Sequence, residues 1–479
     1  MKKIILLSLC LVMGAICHAE KIRVACIGDS ITYGAFIEDR DSQSYPAQLQ
    51  EFLGQDYDVR NFGVNGATLL HKGDNPYIRT GAYRSSLEFN PHIVLIKLGT
   101  NDSKPHNRVH LEAYKQQYLE LIDAYATLSS KPRIILLTPV KCFIPGENDI
   151  CDRVISDDII PKIKEIAYER DIEIINMHNM FGDKWDQTQM PDRLHPSGKG
   201  TGRMAKKIYE YLSVKECDRD KVIASFPLKP VREFNFHGFK GYAYDDNGIE
   251  CYIVKPHHAA KGRPWIWRAR FWGHEPQTDI ALLEQGFHLT YCDVSDLYGS
   301  PEAVKRWDRF YSLVRKAGLD RKAVLEGMSR GGLIIYNWAG KNPRKTACIY
   351  GDAPVMDLKT WPLRQDPPAS LAECIPVMMK AYGFRNAEDV LAWKGNPVDH
   401  ARKLAKAKVA MIHVVGDADI AVPVEDNTTV FEKLITGYGH EIKVIHKPGV
   451  GHHPHSLYDP EPIVDYILEV TGQKAAASN

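Results

Sequence analysis

Gly28-Asp29-Ser30, at the end of the apolar run 22–27, and Gly327-Met328-Ser329-Arg330-Gly331, at the end of the apolar run 323–326, decide how this chain is read. Each sets a serine where a short hydrophobic run stops and a helical pattern begins, and each has its own aspartate and histidine downstream. The arrangements differ. After Ser30, Asp192 and His195 come three residues apart, whereas after Ser329 the acid and the histidine follow two successive strand-like runs. Two nucleophile sites on two separate folds account for both patterns.

Around Ser30, strand-like runs at 22–27, 59–62, 92–98, 133–137 and 172–177 alternate with helical patterns at 45–53, 111–128, 159–170 and 202–212. Alternation of this kind predicts a parallel sheet covered on both faces. A second series follows at 250–254, 265–270, 288–293, 323–326, 346–350, 409–415 and 441–446, again interleaved with helical stretches. The expected organisation is two tandem three-layer α/β domains, 20–215 and 233–479, joined by a charged, proline-containing linker at 216–232. No internal repeat is visible.

In a parallel α/β sheet, reactive groups collect at the carboxyl ends of strands. Ser30 follows the first run, Gly66 lies in Asn61-Phe62-Gly63-Val64-Asn65-Gly66 after the second, and Asn101 lies in Gly99-Thr100-Asn101-Asp102 after the third. Asp192-Arg193-Leu194-His195-Pro196 comes last, and its three-residue gap lets one turn present both side chains, the carboxylate orienting an imidazole that deprotonates Ser30. These four blocks, in this order, resemble the SGNH (GDSL) hydrolase family over about residues 22–213. The resemblance implies a flavodoxin-like fold, with Ser30 as nucleophile, His195 as base and acid, and Asp192 as its partner. It also implies an oxyanion hole formed by the Ser30 and Gly66 N–H groups and the Asn101 amide.

Around Ser329, a strand, a sharp glycine-flanked turn and a helix describe a nucleophile elbow. Val414-Val415-Gly416-Asp417-Ala418-Asp419-Ile420-Ala421-Val422-Pro423 supplies the acid, and Gly449-Val450-Gly451-His452-His453-Pro454-His455 the histidine. Ser, Asp, His in that order resembles the α/β-hydrolase family over about residues 233–473. Asp419 fits the family spacing before Val-Pro, while Asp417 is nearer the strand end. His452 follows the glycine turn, with His453 adjacent. The oxyanion donors would be the Arg330 N–H and one from the loop after 265–270, at Phe271 or Trp272. The Arg330 guanidinium, beside the nucleophile, reads as a surface or capping group or as an anion ligand. Trp272 is expected near substrate, most other tryptophans in the core, and 357–393 as a cap over the second pocket.

With 61 basic and 60 acidic residues the chain is close to neutral, which gives no reason to expect a nucleic-acid partner. Lys2 and Lys3 before the apolar run 4–16, with Cys17-His18-Ala19, read as an export signal over 1–19, too short to span a bilayer. The expected location is therefore periplasmic or secreted. The cysteines show no Cys-x-x-Cys pair, so neither a zinc site nor any other metal or cofactor is expected, although Cys142 and Cys151 flank a loop that a disulfide could close. An acylated carbohydrate is the expected substrate: the exported SGNH resemblance implies an acetyl esterase on polysaccharides, with a second esterase in tandem. The alternatives are a lipase, lysophospholipase or peptidase, or a second domain that only binds glycan.

Overall fold

The computed structural model describes residues 20–217, 219–364 and 369–474. The segment read as an export signal, 1–19, lies outside the described residues. Among these residues the strands form two sheets.

The first sheet holds β1 (Ile22–Gly28), β2 (Tyr57–Gly63), β3 (Ile93–Lys97), β4 (Arg133–Leu137) and β5 (Glu173–Ile175) in the order β2-β1-β3-β4-β5, all parallel. β3 is buried throughout, as a central strand covered on both faces must be. The strand order reverses between β1 and β3, and in this flavodoxin-like arrangement the crevice at the reversal is where ligands bind. Ser30 lies directly beyond β1. Gly28 ends that strand because a Cβ there would meet Thr32 Oγ1 at 2.2 Å and the Lys97 carbonyl at 2.6 Å.

The second sheet runs β14-β13-β12-β11-β9-β10-β8-β7-β6. Its parallel part is β9 (Trp265–Ala269), β10 (His288–Cys292), β11 (Ala323–Met328), β12 (Thr346–Asp352), β13 (Ala410–Gly416) and β14 (Lys443–Lys447). An antiparallel flank is built from β6 (Arg232–Phe236), β7 (Phe239–Asp245) and β8 (Glu250–Val254). The β6–β7 hairpin extends the sheet beyond the runs read from sequence. Its two-residue turn, His237-Gly238, has positive φ at both positions, 53° and 102°, the geometry that matches strand twist in tight hairpins. Ser329 follows β11, and the helix Gly331–Lys341 leads away from it.

The stretch read as a linker is part of the second domain instead. It carries the helix Val222–Ser225, with Val222 and Phe226 buried in the core that also holds Trp265, Trp267 and Trp307. Phe226 lies 4.4 Å from the Tyr244 ring, so the charge and proline that suggest a tether enclose two anchoring apolar residues. Another apolar cluster is continuous across both sheets, joining Ile163, Ala167 and Ile174 to Phe236, Phe239 and Ile280. Polar contacts reinforce this junction. Arg203, on the helix Gly198–Leu212, reaches Asp459 and Glu461, Lys206 reaches Glu461 at 2.8 Å, and the backbone N–H of Asn176 donates to buried Glu284. Cys142 and Cys151 are separate buried thiols, and the Cys142 thiol faces the Ile150 carbonyl.

Candidate active sites

At the first site Asp29 caps the helix Ser30–Tyr33 by accepting the Ile31 N–H at 3.0 Å. Fully buried Lys97 donates to both oxygens of Asp29 at 3.0 Å and reaches Thr100 Oγ1 at 3.2 Å. Burial pulls the Lys97 ammonium down and the Asp29 charge opposes it. This pair fixes the turn that presents Ser30. Lys97 has no role in the sequence analysis, although a lysine between Ile96 and Leu98 in the strand-like run 92–98 signals a buried partner nearby.

Ser30 Oγ–H donates to His195 Nε2 at 2.9 Å, and His195 Nδ1–H donates to Asp192 Oδ2 at 2.6 Å. The other Asp192 oxygen accepts the Leu194 and His195 N–H groups at 3.0 and 2.7 Å, so acid and imidazole are one local turn. Burial works against the Asp192 charge, but these N–H groups and the imidazole hold its carboxyl below the usual carboxylate range. Gly66 and Asn101 line the same cleft as Ser30 and His195, along with Tyr33, Phe36 and Arg40. One Asn101 amide hydrogen goes to the Ala67 carbonyl at 3.1 Å, which ties it to the Gly66 loop, where Gly66 has φ +74°. Buried Asp102 braces that loop from behind by accepting the Leu69 and Leu70 N–H groups at 3.1 and 2.8 Å. Burial pushes its carboxyl up to about 7, against those bonds.

At the second site Ser329 sits at φ 50°, left-handed backbone held by crowding on both sides. A Cβ on Gly327 would meet the Gly331 carbonyl at 2.6 Å, and one on Gly331 the Ala269 carbonyl at 2.9 Å. Ser329 Oγ–H donates to His452 Nε2 at 3.0 Å, and His452 Nδ1–H donates to Asp419 Oδ2 at 2.6 Å. Asp419 Oδ1 accepts the Ala421 and Val422 N–H groups at 2.8 and 2.9 Å. The two rivals fall elsewhere: Asp417 pairs with His446 on the surface at 2.6 Å, and the ring of exposed His453 stacks edge-on against His452.

The Arg330 guanidinium is neither a free surface group nor a cap. It donates to the Tyr298 hydroxyl at 3.0 Å and lies 5.7 and 5.4 Å from the Phe271 and Tyr298 ring centres. Arg270 is its neighbour, and burial together with the Arg330 charge lowers the Arg270 guanidinium. The cap segment supplies Trp361, Met378 and Val390 to an apolar cluster with Leu333 and Tyr298, the residue whose hydroxyl Arg330 reaches. Trp272 departs from expectation. Arg270 and Phe271 both have positive φ, which throws successive side chains apart. Phe271 turns to Arg330, while the Trp272 ring joins Phe234 and Phe236 of β6, Tyr252 of β8 and Tyr291 of β10 at 4.8 to 6.2 Å. Only its backbone remains a candidate at the site. Missed from sequence was Asp352, whose carbonyl accepts the Ser329 N–H at 2.8 Å and whose carboxylate accepts from His455 and Tyr350.

Fold and site together define two α/β domains in tandem, each with a Ser-His-Asp hydrogen-bonded triad. Residues 26–203 match the GDSL-like Lipase/Acylhydrolase family, and residues 315–473 match the Prolyl oligopeptidase family, whose match contains Ser329, Asp419 and His452. The chain thus carries a GDSL/SGNH domain followed by a prolyl oligopeptidase-type α/β-hydrolase domain. An acetylxylan esterase of Xylanibacter ruminicola is 41% identical over 206 residues, which are 40% of this chain and 42% of that protein. The chain therefore spans less than half the length of that relative in the match. Uncharacterized protein YpmR of Bacillus subtilis is 22% identical over 215 residues, 40% of this chain and 81% of that one. Among solved structures, a putative dipeptidyl aminopeptidase IV from Bacteroides ovatus covers 49% of this chain and 36% of its own at 14% identity, with a TM-score of 0.37.

Proposed function

We propose that this chain is an exported carboxylic ester hydrolase with two serine sites, the first of which removes O-acetyl groups from a polysaccharide such as xylan. The Ser30–His195–Asp192 relay, set in an open cleft, carries the reading. The 41% identity of this region to an acetylxylan esterase supports the substrate class. The sequence of 1–19 supports export, and among the described residues no helix is long and apolar enough to cross a membrane.

In the proposed reaction Ser30 Oγ attacks the acetyl carbonyl as His195 Nε2 takes its proton. Asp192 steadies the imidazolium. The oxyanion is met by the Ser30 and Gly66 N–H groups and the Asn101 amide, and such donors are worth most when fixed in advance. Collapse expels the sugar alkoxide, which takes the proton from His195. Water then attacks the acetyl-serine with His195 as base, and acetate leaves. The second site runs the same steps on Ser329, His452 and Asp419, with oxyanion donors from the Arg330 N–H and the Phe271–Trp272 loop. A second reading, amide cleavage at Ser329, is favoured by the Prolyl oligopeptidase family match of that segment.

Ser30→Ala and Ser329→Ala, made separately, test these roles. Ser30→Ala is expected to lower acetate release from acetylated xylan by about 10⁴-fold or more. Ser329→Ala is expected to lower turnover of a second substrate, found from a panel of aryl esters and peptide amides, by a similar factor. Full xylan activity in Ser30→Ala would refute the first assignment. A Ser329→Ala chain that retained every activity would leave the second domain as a binding module.

A further inference from the structure

The histidine loop of the second domain carries more imidazole than the relay uses. His452, His453 and His455 stand with ring centres 5.0, 4.9 and 4.8 Å apart and ring planes 77° to 81° from one another. One ligand atom from each lies within 4.8 Å of the others, and among the described residues no other group of three histidines, cysteines or carboxylates converges in this way. His274 comes in from the neighbouring loop, 6.2 and 6.0 Å from His453 and His455.

Two of the three imidazoles are already oriented. His452 Nδ1–H donates to Asp419 and His455 Nδ1–H donates to Asp352, each at 2.6 Å, and both carboxylates are buried. With Nδ1 protonated and held, the lone pair of each ring is on Nε2. A carboxylate that fixes the far nitrogen of an imidazole is the outer support that histidine–metal sites use. Bracing the loop explains the Asp352–His455 pair but gives no reason for exposed His453 to stand against both rings.

We propose that His452, His453 and His455 bind a divalent transition-metal ion such as Zn²⁺, and that the ion takes the His452 Nε2 lone pair which otherwise accepts the Ser329 hydroxyl. Tetrahedral zinc with bonds of about 2.0 to 2.1 Å needs its nitrogens about 3.4 Å apart, so the cluster, within 4.8 Å, has to draw in by up to about 1.4 Å. Exposed His453 is the ring placed to swing. His274 or water completes the shell. The ion and the Ser329 proton compete for one electron pair, so metal at this place is an inhibitor of the second site and has no hold on the first. The inhibition, unlike the binding, rests on the reading of Ser329 as a nucleophile.

Zinc chloride titrated into the full chain by calorimetry tests the binding without reference to turnover. His453→Ala and His452→Ala are each expected to weaken the zinc equivalent by about tenfold or more. Zinc affinity equal to wild type in both variants would overturn the site. In a Ser30→Ala background zinc should abolish the remaining Ser329-dependent turnover, and adding His453→Ala should restore it while leaving activity in chelator within about threefold. Wild-type zinc binding with undiminished Ser329 turnover, or equal inhibition of Ser30 and Ser329 activities, would overturn the competition. Absence of any Ser329 turnover before zinc is added would instead refute the functional reading above, and the two histidine variants would still decide the site.

Discussion

Ser30 and Ser329 are buried to the same degree, 8% exposed each, and their Oγ atoms lie 2.9 and 3.0 Å from an imidazole, yet the backbones beneath them have little in common. Ser30 begins a short helix, and its acid and histidine come from one turn in which Asp192 binds the backbone of His195 itself. Ser329 is held at φ 50°, a conformation that costs about 1 to 3 kcal/mol for a residue with a side chain, and its acid and histidine are brought in by two different strands. The acids differ in setting too: the Asp192 side chain is 42% exposed and that of Asp419 is fully buried. Equal relays can thus be assembled locally or by the whole sheet, and the second way puts more of the domain's packing behind each contact.

This contrast predicts unequal responses to the same substitution. Asp419→Asn should lower turnover at the second site by about 10⁴-fold, since no water can stand in for the lost charge and the imidazole is left in the wrong tautomer. Asp192→Asn should lower acetate release by on the order of a hundredfold, because solvent reaches that side of the imidazolium. Equal losses in kcat would mean that the two acids hold their imidazoles in the same way. Asn101→Ala should lower kcat at the first site by about a hundredfold and leave Ser329 turnover unchanged, a selectivity that a folding defect would not show.

The smallest expected effect lies between the domains. Glu173 on β5 accepts from His258 of the second domain at 3.0 Å and from Arg133. Burial opposes the Glu173 charge, but these two cations hold its carboxyl down at about 2, and the bond to Glu173 raises His258 above the usual imidazole value against the effect of burial. The Glu173 contribution is present above about pH 4 and is lost as pH falls toward 2; the His258 contribution is complete below about pH 6.5 and is lost as pH rises through its raised value. His258→Gln should therefore lower the melting temperature by about 1 to 3 °C at pH 6 and by less at pH 9, read by thermal unfolding across pH. A deficit that grew with pH would reverse this assignment.

Much of the first site was legible because its residues lie in four compact blocks after successive strands, and strand ends are where the fold gathers reactive groups. Asp419 and His452 stood out less from Asp417 and His453, since neighbours two and one residues away differ in direction and not in chemistry. What separates them is which way the backbone turns after β13 and β14, and that is set by packing. The same holds for Trp272, whose place followed from positive φ at Arg270 and Phe271, two residues with no glycine to announce the turn. The β6–β7 hairpin was hidden because Arg232-Glu233-Phe234-Asn235-Phe236 is an edge strand with charged residues at its start, and the role of Lys97 because its partner Asp29 lies 68 residues away in the chain.

Arg203 sits six residues beyond the helix cap Ser197, itself two residues after His195, and its guanidinium grips Asp459 and Glu461, a few positions after His452 and His455. The seam between the halves is therefore fastened beside both histidine loops. Cutting the gene at 216 would give two polypeptides, each with all its named residues and each missing the other's end of that clasp, so the halves are poor candidates for shuffling into other fusions as independent parts.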